Sequence, residues 1–362
     1  MIINFRKLSK SDILFLDNNL LKLKFKGISS LVYNFDEIRI FYLYRALIDY
    51  IFKPNKLTLK QIYKKKIFEA ISAKVAISEH INQRSFEYKY LMPESKVITY
   101  QMSLINDYSK KILSKYKYKK TDYFFVFSEI EKKKLKKIFK SEFVIAGSCR
   151  SNSVNKVVRK KYDICYISEY NGIKKYKNKY LKKINNIHYN NQQLIVQSIK
   201  RYCAENKKKF VIALRSNRID KKSGKPLNFL SEINYFKSLI KNKFLYEKNT
   251  NSYKIADQSK LTVCLSSALG TELLGRGNKV LFLPLDETSN KSKFNPYLKC
   301  DRKNYKSSYK SSINVFNLVK KYDLLKMNNW VKIKKNFFFN IKIKKNNQFL
   351  KKKILEILKQ NY

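Results

Sequence analysis

Residues 261–285 read LTVCLSSALGTELLGRGNKVLFLPL, and their pattern indicates the fold class of the chain. The apolar run 261–265 predicts a buried strand, residues 268–274 predict a short helix, and residues 280–283 predict a second strand. A strand, a turn, a helix and a second strand in so short a span form a βαβ unit, which builds parallel sheets. Three of the chain's seven glycines lie here, which indicates sharp turns or a close approach to a ligand.

The turn of this unit has the residues of an anion-binding site. Ser266 and Ser267 stand where the first strand ends and the helix begins. The first N–H groups of a helix lack intrahelical partners and lie at the positive end of its dipole, so with the two hydroxyls they predict a phosphate cradle. Glu272, one turn later, is placed to accept hydrogen bonds from ribose. The alternative interpretation makes Ser267 only an N-cap, Thr271 and Glu272 ordinary first-turn residues, and the glycines only turns.

The run SSALGTELLGRGNKVLF resembles the donor-site signature of bacterial surface-polysaccharide glycosyltransferases with a GT-B architecture. It is most similar to the family of O-antigen or surface carbohydrate biosynthesis proteins. A weaker similarity extends over roughly residues 70–285, through DYFFVFSEIEKKKLKKI, FVIAGSCRSN and YDICYISEY. The positions that carry the resemblance are Ser266, Ser267, Leu269, Gly270, Glu272, Arg276, Gly277, Lys279 and Val280.

The resemblance implies an enzyme that moves a sugar from a nucleotide-sugar donor to a surface polysaccharide acceptor, of the O-antigen, lipopolysaccharide or capsule type. It implies a GT-B-like α/β fold, in which two Rossmann-like doubly wound domains face a cleft. Carried onto this sequence, the donor site comprises Ser266, Ser267, Gly270, Thr271 and Glu272. No metal or other cofactor is expected, because helix ends and basic side chains stabilise the leaving phosphate in such enzymes, and the sequence has no DxD triplet.

Composition narrows the class of protein. A chain of 362 residues with 44% hydrophobic residues is long and apolar enough for two folded domains. The net charge of +52 favours anionic partners, which include nucleic acid, anionic lipid and nucleotide sugars. The excess is almost all lysine and comes with much Asn, Ile, Tyr and Phe, so coding drift in an AT-rich genome is an alternative explanation.

Cysteine and histidine are sparse. The five cysteines show no CxxC spacing, which indicates buried fillers in a reducing compartment, and two histidines, His80 and His188, do not make a zinc site. The start, MIINFRKLSKSD, lacks the apolar core of a signal peptide, and the apolar window 40–52 is too short to span a bilayer. We expect a cytoplasmic protein, with peripheral contact at the anionic inner face of the membrane through 40–52 or the basic tail as a further expectation. The favoured alternatives are a core helix for 40–52 and a solvated tail for the basic segment.

The chain alternates apolar runs with helical patterns, which indicates doubly wound α/β domains. We predict an acceptor domain at 1–148, a linker at 149–161, a nucleotide-sugar domain at 162–325 and a basic helical tail at 326–362. The resemblance suggests that the last helices cross back to the first domain. Predicted strands are 12–16, 28–35, 74–78, 96–101, 123–127, 143–146, 164–167, 210–214 and 244–246. Predicted helices are 40–52, 57–72, 85–91, 129–140, 192–206, 233–240, 253–258, 315–325 and 349–358.

Polar residues follow three predicted strands of the second domain. Ser168 follows one, Arg215 another, and Ser266 with Ser267 the third. A guanidinium binds phosphate in a bidentate way, so Arg215 is a candidate clamp for the donor, with a plain surface arginine as the alternative.

The catalytic base is expected in the first domain. An inverting transferase needs a base near the acceptor hydroxyl, and the candidates are Asp17, Glu79 and His80, each of which lies just past a predicted strand. Proteins of the resembled family carry an Asp near the second position, where this chain reads SEHIN. For each of the three residues, a structural or solvated role is the alternative.

Other functions stay open at this point. A basic nucleic-acid-binding protein would fit the charge, but the basic residues are spread along the chain and no nucleic-acid-binding motif occurs. A sugar-nucleotide epimerase would use more histidine and carboxylate than this sequence offers, and a non-catalytic nucleotide-binding member of the same fold is a further alternative. The sequence leaves open the sugar, the nucleotide (CMP, UDP or GDP), the acceptor and the stereochemistry.

Overall fold

The structure, a computed structural model, describes residues 2–4, 8–16, 23, 25–33, 37–53, 56–79, 84–101, 105, 107–170, 179–215, 229–240, 245–246, 251–265, 267–283, 312–335, 341 and 347–360. The chain divides into two compact units. Unit 1 comprises Met1–Ser153 and Lys342–Tyr362, and unit 2 comprises Val154–Ile341. The division after Ser153 falls inside the stretch 149–161.

Short strands alternate with helices along most of the described chain. The strands are β1 Ile2–Asn4, β2 Ile13–Phe15, β3 Ser30–Val32, β4 Glu37–Arg39, β5 Val75–Glu79, β6 Lys96–Tyr100, β7 Lys120–Val126, β8 Lys140–Ile145, β9 Tyr162–Ile167, β10 Phe210–Ala213, β11 Ser259–Cys264 and β12 Val280–Phe282. The helices are α1 Ile40–Phe52, α2 Leu59–Ile71, α3 Arg84–Leu91, α4 Asp107–Ser114, α5 Glu129–Leu135, α6 Cys149–Asn152, α7 Lys179–Glu205, α8 Phe229–Ile240, α9 Ser252–Asp257, α10 Ala268–Gly275, α11 Ser312–Leu324, α12 Met327–Lys335 and α13 Gln348–Lys359.

Unit 1 is built on a parallel sheet in the order β3-β2-β5-β6-β7-β8. The central strand β5 is covered on both faces, and all five of its residues are buried. The first strand, β2, pairs with both β3 and β5, so the chain winds outward in two directions from this point. Strands β1 and β4 form a separate parallel pair.

The two faces of the unit 1 sheet bury different helices. Ile13 and Phe15 of β2 pack in a cluster with Ile354 of α13, whereas Leu14 packs in a cluster with Ile67 of α2. This alternation follows from the two-residue period of a strand. The helix α13, near the end of the chain, therefore belongs to the core of unit 1.

Unit 2 is built on a parallel sheet in the order β10-β9-β11-β12. Leu245 adds a parallel bridge to Val211 on the outer side of β10, where the sequence predicted a short strand. Helices α7, α8 and α11 contribute to one large apolar cluster, in which Trp330 of α12 is also fully buried. The βαβ unit predicted at 261–285 is confirmed as β11, α10 and β12.

Several expectations are wrong. The segment 40–52 forms the predicted helix, α1, but it is not a core helix, because only Tyr42 and Ala46 of it are buried. Nor is the tail a solvated one, since α13 buries Leu350, Ile354, Ile357 and Leu358. The predicted helix 129–140 ends at Leu135, and Lys140 begins β8. The helices α4 and α12 and the β1–β4 pair were not predicted.

Candidate functional site

The carboxyl ends of three parallel strands lie side by side in unit 2. Because β9 pairs with both β10 and β11, the residues that follow these strands share one edge of the sheet. Ser168, Arg215 and Ser267 are those residues, so the structure brings together the three strand ends singled out in the sequence. Ser266 lies outside the described residues. In open α/β sheets this edge is where ligands bind.

A buried carboxylate connects two of these strand ends. Glu232 of α8 is fully buried and accepts hydrogen bonds from the hydroxyl of Ser168 and, at 2.8 Å, from the backbone N–H of Arg215. It lies in the first turn of α8, where the helix dipole favours a negative charge. Glu232 therefore fixes the backbone of both loops. It was missed in the sequence, although an acid in the first turn of an apolar helix is a readable signal.

Arg215 extends from this anchored loop toward solvent. Arg215 is an exposed residue, and its Nη1 lies 3.4 Å from the carbonyl oxygen of Tyr170. The loop after β9 is shaped by a second contact, because the N–H of Tyr170 donates to Ser168 Oγ at 3.2 Å. A guanidinium carried by an exposed residue with a fixed backbone can act as a phosphate clamp.

Gln192 of α7 forms hydrogen bonds that fix the same loop. Its side-chain oxygen accepts hydrogen bonds from the hydroxyl of Tyr166 at 3.2 Å and from the N–H of Glu169 at 3.3 Å. The residue is fully buried, and its amide nitrogen has no hydrogen-bond partner among the described residues. His188, one turn earlier, lies 3.1 Å from the carbonyl oxygen of Glu169. Both residues position the loop after β9.

Ser267 is the N-cap of α10, as the alternative interpretation proposed. Its backbone is extended, and its Oγ accepts a hydrogen bond from the N–H of Leu269 at 3.3 Å. Capping uses one hydroxyl lone pair and leaves the dipole of the helix directed at the same edge of the sheet. The predicted helix start is thus confirmed, and it lies next to the Ser168 loop.

Gly270 is required for packing. A Cβ at this position would lie 2.6 Å from Sγ of Cys264 and 2.8 Å from a ring carbon of Phe282, so glycine lets α10 approach the sheet. Gly277 has a φ of +87°, which permits the turn into β12. The structure therefore explains these glycines by packing and turn geometry.

Thr271 and Glu272 lie deeper in α10. Thr271 is fully buried, and its hydroxyl has no hydrogen-bond partner in the described part of the chain. Glu272 is 4% exposed, and its Oε2 accepts a hydrogen bond of 2.5 Å from the hydroxyl of Tyr253 in α9. The guanidinium of Arg276 lies 5.6 Å from the centre of the Tyr253 ring. The orientation of Glu272 is therefore set by α9.

The basic residues of the motif have structural partners. Arg276 forms a buried ion pair with Asp257, and its Nη1 donates to the carbonyl of Val154 at 2.9 Å. The ammonium of Lys279 donates to three carbonyls at the end of α11, namely those of Tyr322, Asp323 and Leu325 at 3.0, 3.2 and 2.6 Å. Burial lowers the pKa of Lys279. These two cations thus join α10 to α9 and α11.

One candidate base is described in unit 1. Glu79 ends β5, is 7% exposed and accepts a hydrogen bond from the Tyr100 hydroxyl at 2.9 Å. Because β2 and β5 are neighbours at the point where the strand order reverses, Glu79 lies at the topological switch point of the sheet. Asp17 and His80, which follow the same two strands, lie outside the described residues.

The described residues contain neither a metal-binding cluster nor a membrane-spanning helix. Among the described residues, no group of three or more His, Cys, Asp or Glu side chains is arranged to hold a metal ion. Over the same ranges, no helix is both long enough and apolar enough to cross a membrane.

Residues 101–298, more than half of the chain, match the model of a family described as "putative O-antigen biosynthesis protein". The chain belongs to this family. The matched segment contains Ser168, Glu232 and Ser267, whereas Glu79 lies outside it. The family expected from the motif is thereby confirmed. No curated protein sequence matches the chain.

Solved structures show the same fold at low identity. A "putative UDP-N-acetylglucosamine 2-epimerase" from Listeria monocytogenes has a TM-score of 0.55 and 11% identity, over 97% of this chain and 96% of the epimerase. S. aureus MnaA, solved with UDP, has the same TM-score of 0.55, identity of 11% and coverage of 97% and 96%. UDP-GlcNAc 2-epimerase from Neisseria meningitidis, solved with UDP-GlcNAc, has a TM-score of 0.53 and 12% identity over 95% and 98%. The predicted α/β fold of two Rossmann-like units, as in GT-B-type proteins, is confirmed.

Proposed function

We propose that this protein is a glycosyltransferase that moves a sugar from a nucleotide-sugar donor to a surface polysaccharide acceptor, of the O-antigen, lipopolysaccharide or capsule type. One observation carries the proposal. In a family named for O-antigen biosynthesis, Ser168, Arg215 and the N-terminus of α10 lie at adjacent strand ends on one edge of the unit 2 sheet. This is the arrangement that binds a nucleotide in doubly wound sheets.

The donor pyrophosphate would lie between Arg215 and the start of α10. Arg215 is an exposed residue whose guanidinium carries paired donors, and the helix end offers backbone N–H groups with a favourable dipole. Because Glu232 holds the Arg215 backbone in place, the clamp is preorganised for the charge that develops on the leaving phosphate. With these groups, transfer needs no metal ion or other cofactor, and we propose that none is used.

The ribose would lie at Glu272. The 2.5 Å hydrogen bond from Tyr253 fixes one carboxylate oxygen, so little side-chain freedom is lost when the ribose hydroxyls bind. S. aureus MnaA was solved with UDP, and the epimerase from Neisseria meningitidis was solved with UDP-GlcNAc, which makes UDP the first nucleotide to test here.

We propose Glu79 as the general base for the acceptor hydroxyl. It is a buried carboxylate at the switch point of the unit 1 sheet, and its hydrogen bond to Tyr100 orients it. A positioned carboxylate contributes roughly 10²- to 10⁴-fold to such a reaction. Asp17 and His80 stay alternative candidates, and the stereochemistry stays open.

The first experiment measures nucleotide binding through the shift that each nucleotide causes in the thermal midpoint of unfolding. CMP, UDP and GDP are added separately to the wild type, to Arg215→Ala and to the matched control Arg159→Ala. Arg159 is also exposed, but it precedes β9 and so lies at the opposite edge of the sheet. A ligand at 100 times its dissociation constant stabilises the folded state by about 2.7 kcal/mol. We expect stabilisation by one nucleotide, lost in Arg215→Ala and kept in Arg159→Ala.

Three results would overturn this assignment. Stabilisation by short single-stranded DNA alone, unaffected by Arg215→Ala, would indicate a basic nucleic-acid-binding protein. A second assay uses a nucleotide sugar that contains the nucleotide found to bind. It follows the fate of the sugar in the presence of extracted lipid-linked acceptors. Incorporation into the lipid fraction supports transfer, a nucleotide-linked epimer as the sole product indicates an epimerase, and binding without turnover indicates a non-catalytic member of the fold.

A further inference from the structure

The helix α1 carries a large apolar surface that faces solvent. Only Tyr42 and Ala46 of its 13 residues are buried. Single exposed apolar side chains are common on soluble proteins, but a contiguous patch of this kind marks an interaction site. The exposed large side chains of this helix, from 37% to 77% accessible, are Ile40, Phe41, Tyr44, Leu47, Ile48, Tyr50, Ile51 and Phe52.

Most of these side chains form one stripe along the helix. Residues 40, 44, 47 and 51 follow one another at intervals of four, three and four positions, and 41, 48 and 52 flank them. Such spacing places side chains on a single face. A helix of 13 residues is about 20 Å long. We call this exposed face the α1 stripe.

The opposite face fixes the orientation of α1. The hydroxyl of Tyr42 accepts a hydrogen bond from the N–H of Leu8 at 2.9 Å, and Tyr42 packs in the same core cluster as α2. Asp49 pairs with Lys66 of α2 at 2.5 Å. These contacts hold the α1 stripe outward, so its exposure is a feature of the folded unit.

The surroundings of the α1 stripe are basic. Asp49 is the one acid in the segment 40–66, against seven Lys and Arg, and it pairs with both Lys53 and Lys66. Arg45, Lys53, Lys56 and Lys60 are exposed. An apolar stripe with a basic rim is complementary to an anionic lipid surface. A second copy of the chain would bring the same charge of +52, which opposes self-association.

We propose that α1 is an interfacial helix that docks unit 1 on an anionic membrane surface. The α1 stripe lies in the boundary between headgroups and acyl chains, and the basic rim contacts lipid phosphates. The inference goes beyond the proposed function, since it depends on this surface and on no nucleotide sugar. Nucleotide binding and membrane binding are therefore tested by separate measurements.

The test is co-sedimentation of the full chain with vesicles. Vesicles of phosphatidylcholine containing phosphatidylglycerol are compared with vesicles of phosphatidylcholine alone. The test variant is Ile51→Ser with Phe52→Ser, which keeps the charge. The matched control is Val158→Ser with Leu230→Ser, because these side chains are 84% and 73% exposed but lie in unit 2. All four substituted positions are exposed, so unchanged thermal midpoints are expected.

We expect binding to the anionic vesicles, at least roughly tenfold weaker in Ile51→Ser with Phe52→Ser and unchanged in the control. Lys56→Gln with Lys60→Gln should weaken binding by about fivefold per lysine. Equal binding of wild type and Ile51→Ser with Phe52→Ser would overturn the proposal, since lysines alone would then explain the attraction. A dimer in sedimentation velocity without lipid, lost in the same variant, would assign the α1 stripe to a second copy instead.

Discussion

Arg276 and Asp257 form an ion pair in the interior of unit 2, where their side chains are 2% and 0% exposed. A second contact joins Nε of Arg276 to Oδ1 of Asp257 at 3.2 Å, and Asn278 donates to the same oxygen at 3.1 Å. The motif arginine therefore fastens α10 to α9. Ser267, at the other end of α10, lies at the edge of the sheet where we place the ligand.

Removal of this arginine should destabilise unit 2. In Arg276→Met, Asp257 would be left as a buried charge without its partner, and such losses amount to about 3–5 kcal/mol of the free energy of unfolding. Urea unfolding measures the effect. The control is Arg201→Met, since Arg201 pairs with Glu205 at 3.4 Å while both side chains are about half exposed. Arg201→Met should lower the free energy of unfolding by less than about 1 kcal/mol. Equal effects of the two substitutions would contradict the prediction.

Glu232→Gln should loosen the two loops at the carboxyl edge of the sheet. The hydrogen bonds from Ser168 and from the Arg215 backbone end on a charged group, and their weakening costs about 1–3 kcal/mol of stability. If Arg215 binds the nucleotide, affinity for UDP should also fall, by roughly tenfold. Calorimetric titration with UDP and urea unfolding measure the two effects. Glu205→Gln, an exposed acid of α7, should change neither.

Glu272 and Tyr253 should be coupled in nucleotide binding. Glu272→Ala is expected to abolish the response to UDP, and Tyr253→Phe to weaken it, because the carboxylate would lose the donor that orients it. A double-mutant cycle should give an interaction energy of about 0.5–3 kcal/mol. Tyr235→Phe is the control, since its hydroxyl donates to the Tyr189 carbonyl over 3.4 Å. Strictly additive effects of the two substitutions would show that Glu272 and Tyr253 are not coupled, and would contradict the prediction.

Gly270→Ala should destabilise the protein without a direct effect on charge. The new methyl group would lie 2.6 Å from Sγ of Cys264 and 2.8 Å from the Phe282 ring, and overpacking of this kind costs about 1–3 kcal/mol. Thermal unfolding of the variant measures this loss. Combining it with Cys264→Ala should recover part of the stability, because the nearest atom is removed. Lack of any recovery would place the strain elsewhere.

Asp49 should make stability depend on pH in acid. Hydrogen bonds from Lys53 and then Lys66 lower the pKa of Asp49 to about 2 from its ordinary 3.8. A carboxylate with a lowered folded-state pKa stabilises the fold above its unfolded pKa, and this contribution disappears as pH falls through the folded value. The difference in thermal midpoint between the wild type and Asp49→Asn should therefore shrink between pH 3.8 and about 2. A difference that stays constant over this window would contradict the ion pairs.

Local pattern was enough to predict most of the elements. The run 261–265 is apolar enough to identify β11, and the pair Ser266–Ser267 marks the start of α10, because strand burial and helix capping depend on neighbouring residues. Strand β4 escaped prediction because its sequence, Glu37-Ile38-Arg39, has a single apolar residue, whereas β2 and β12, which also have three residues, are entirely apolar.

Periodicity and the spacing of one motif are properties of the linear chain, so they were enough to predict the alternation of strands and helices, the two-domain α/β class and the family. The roles of single side chains depend instead on tertiary contacts. Arg276 forms a buried ion pair, Glu232 joins two loops, and the apolar face of α1 points to solvent. Asp257 is 19 residues from Arg276, and Arg215 and Ser168 are 17 and 64 residues from Glu232, so no local pattern records these pairs. Whether an apolar helix face is covered likewise depends on which elements fold against it.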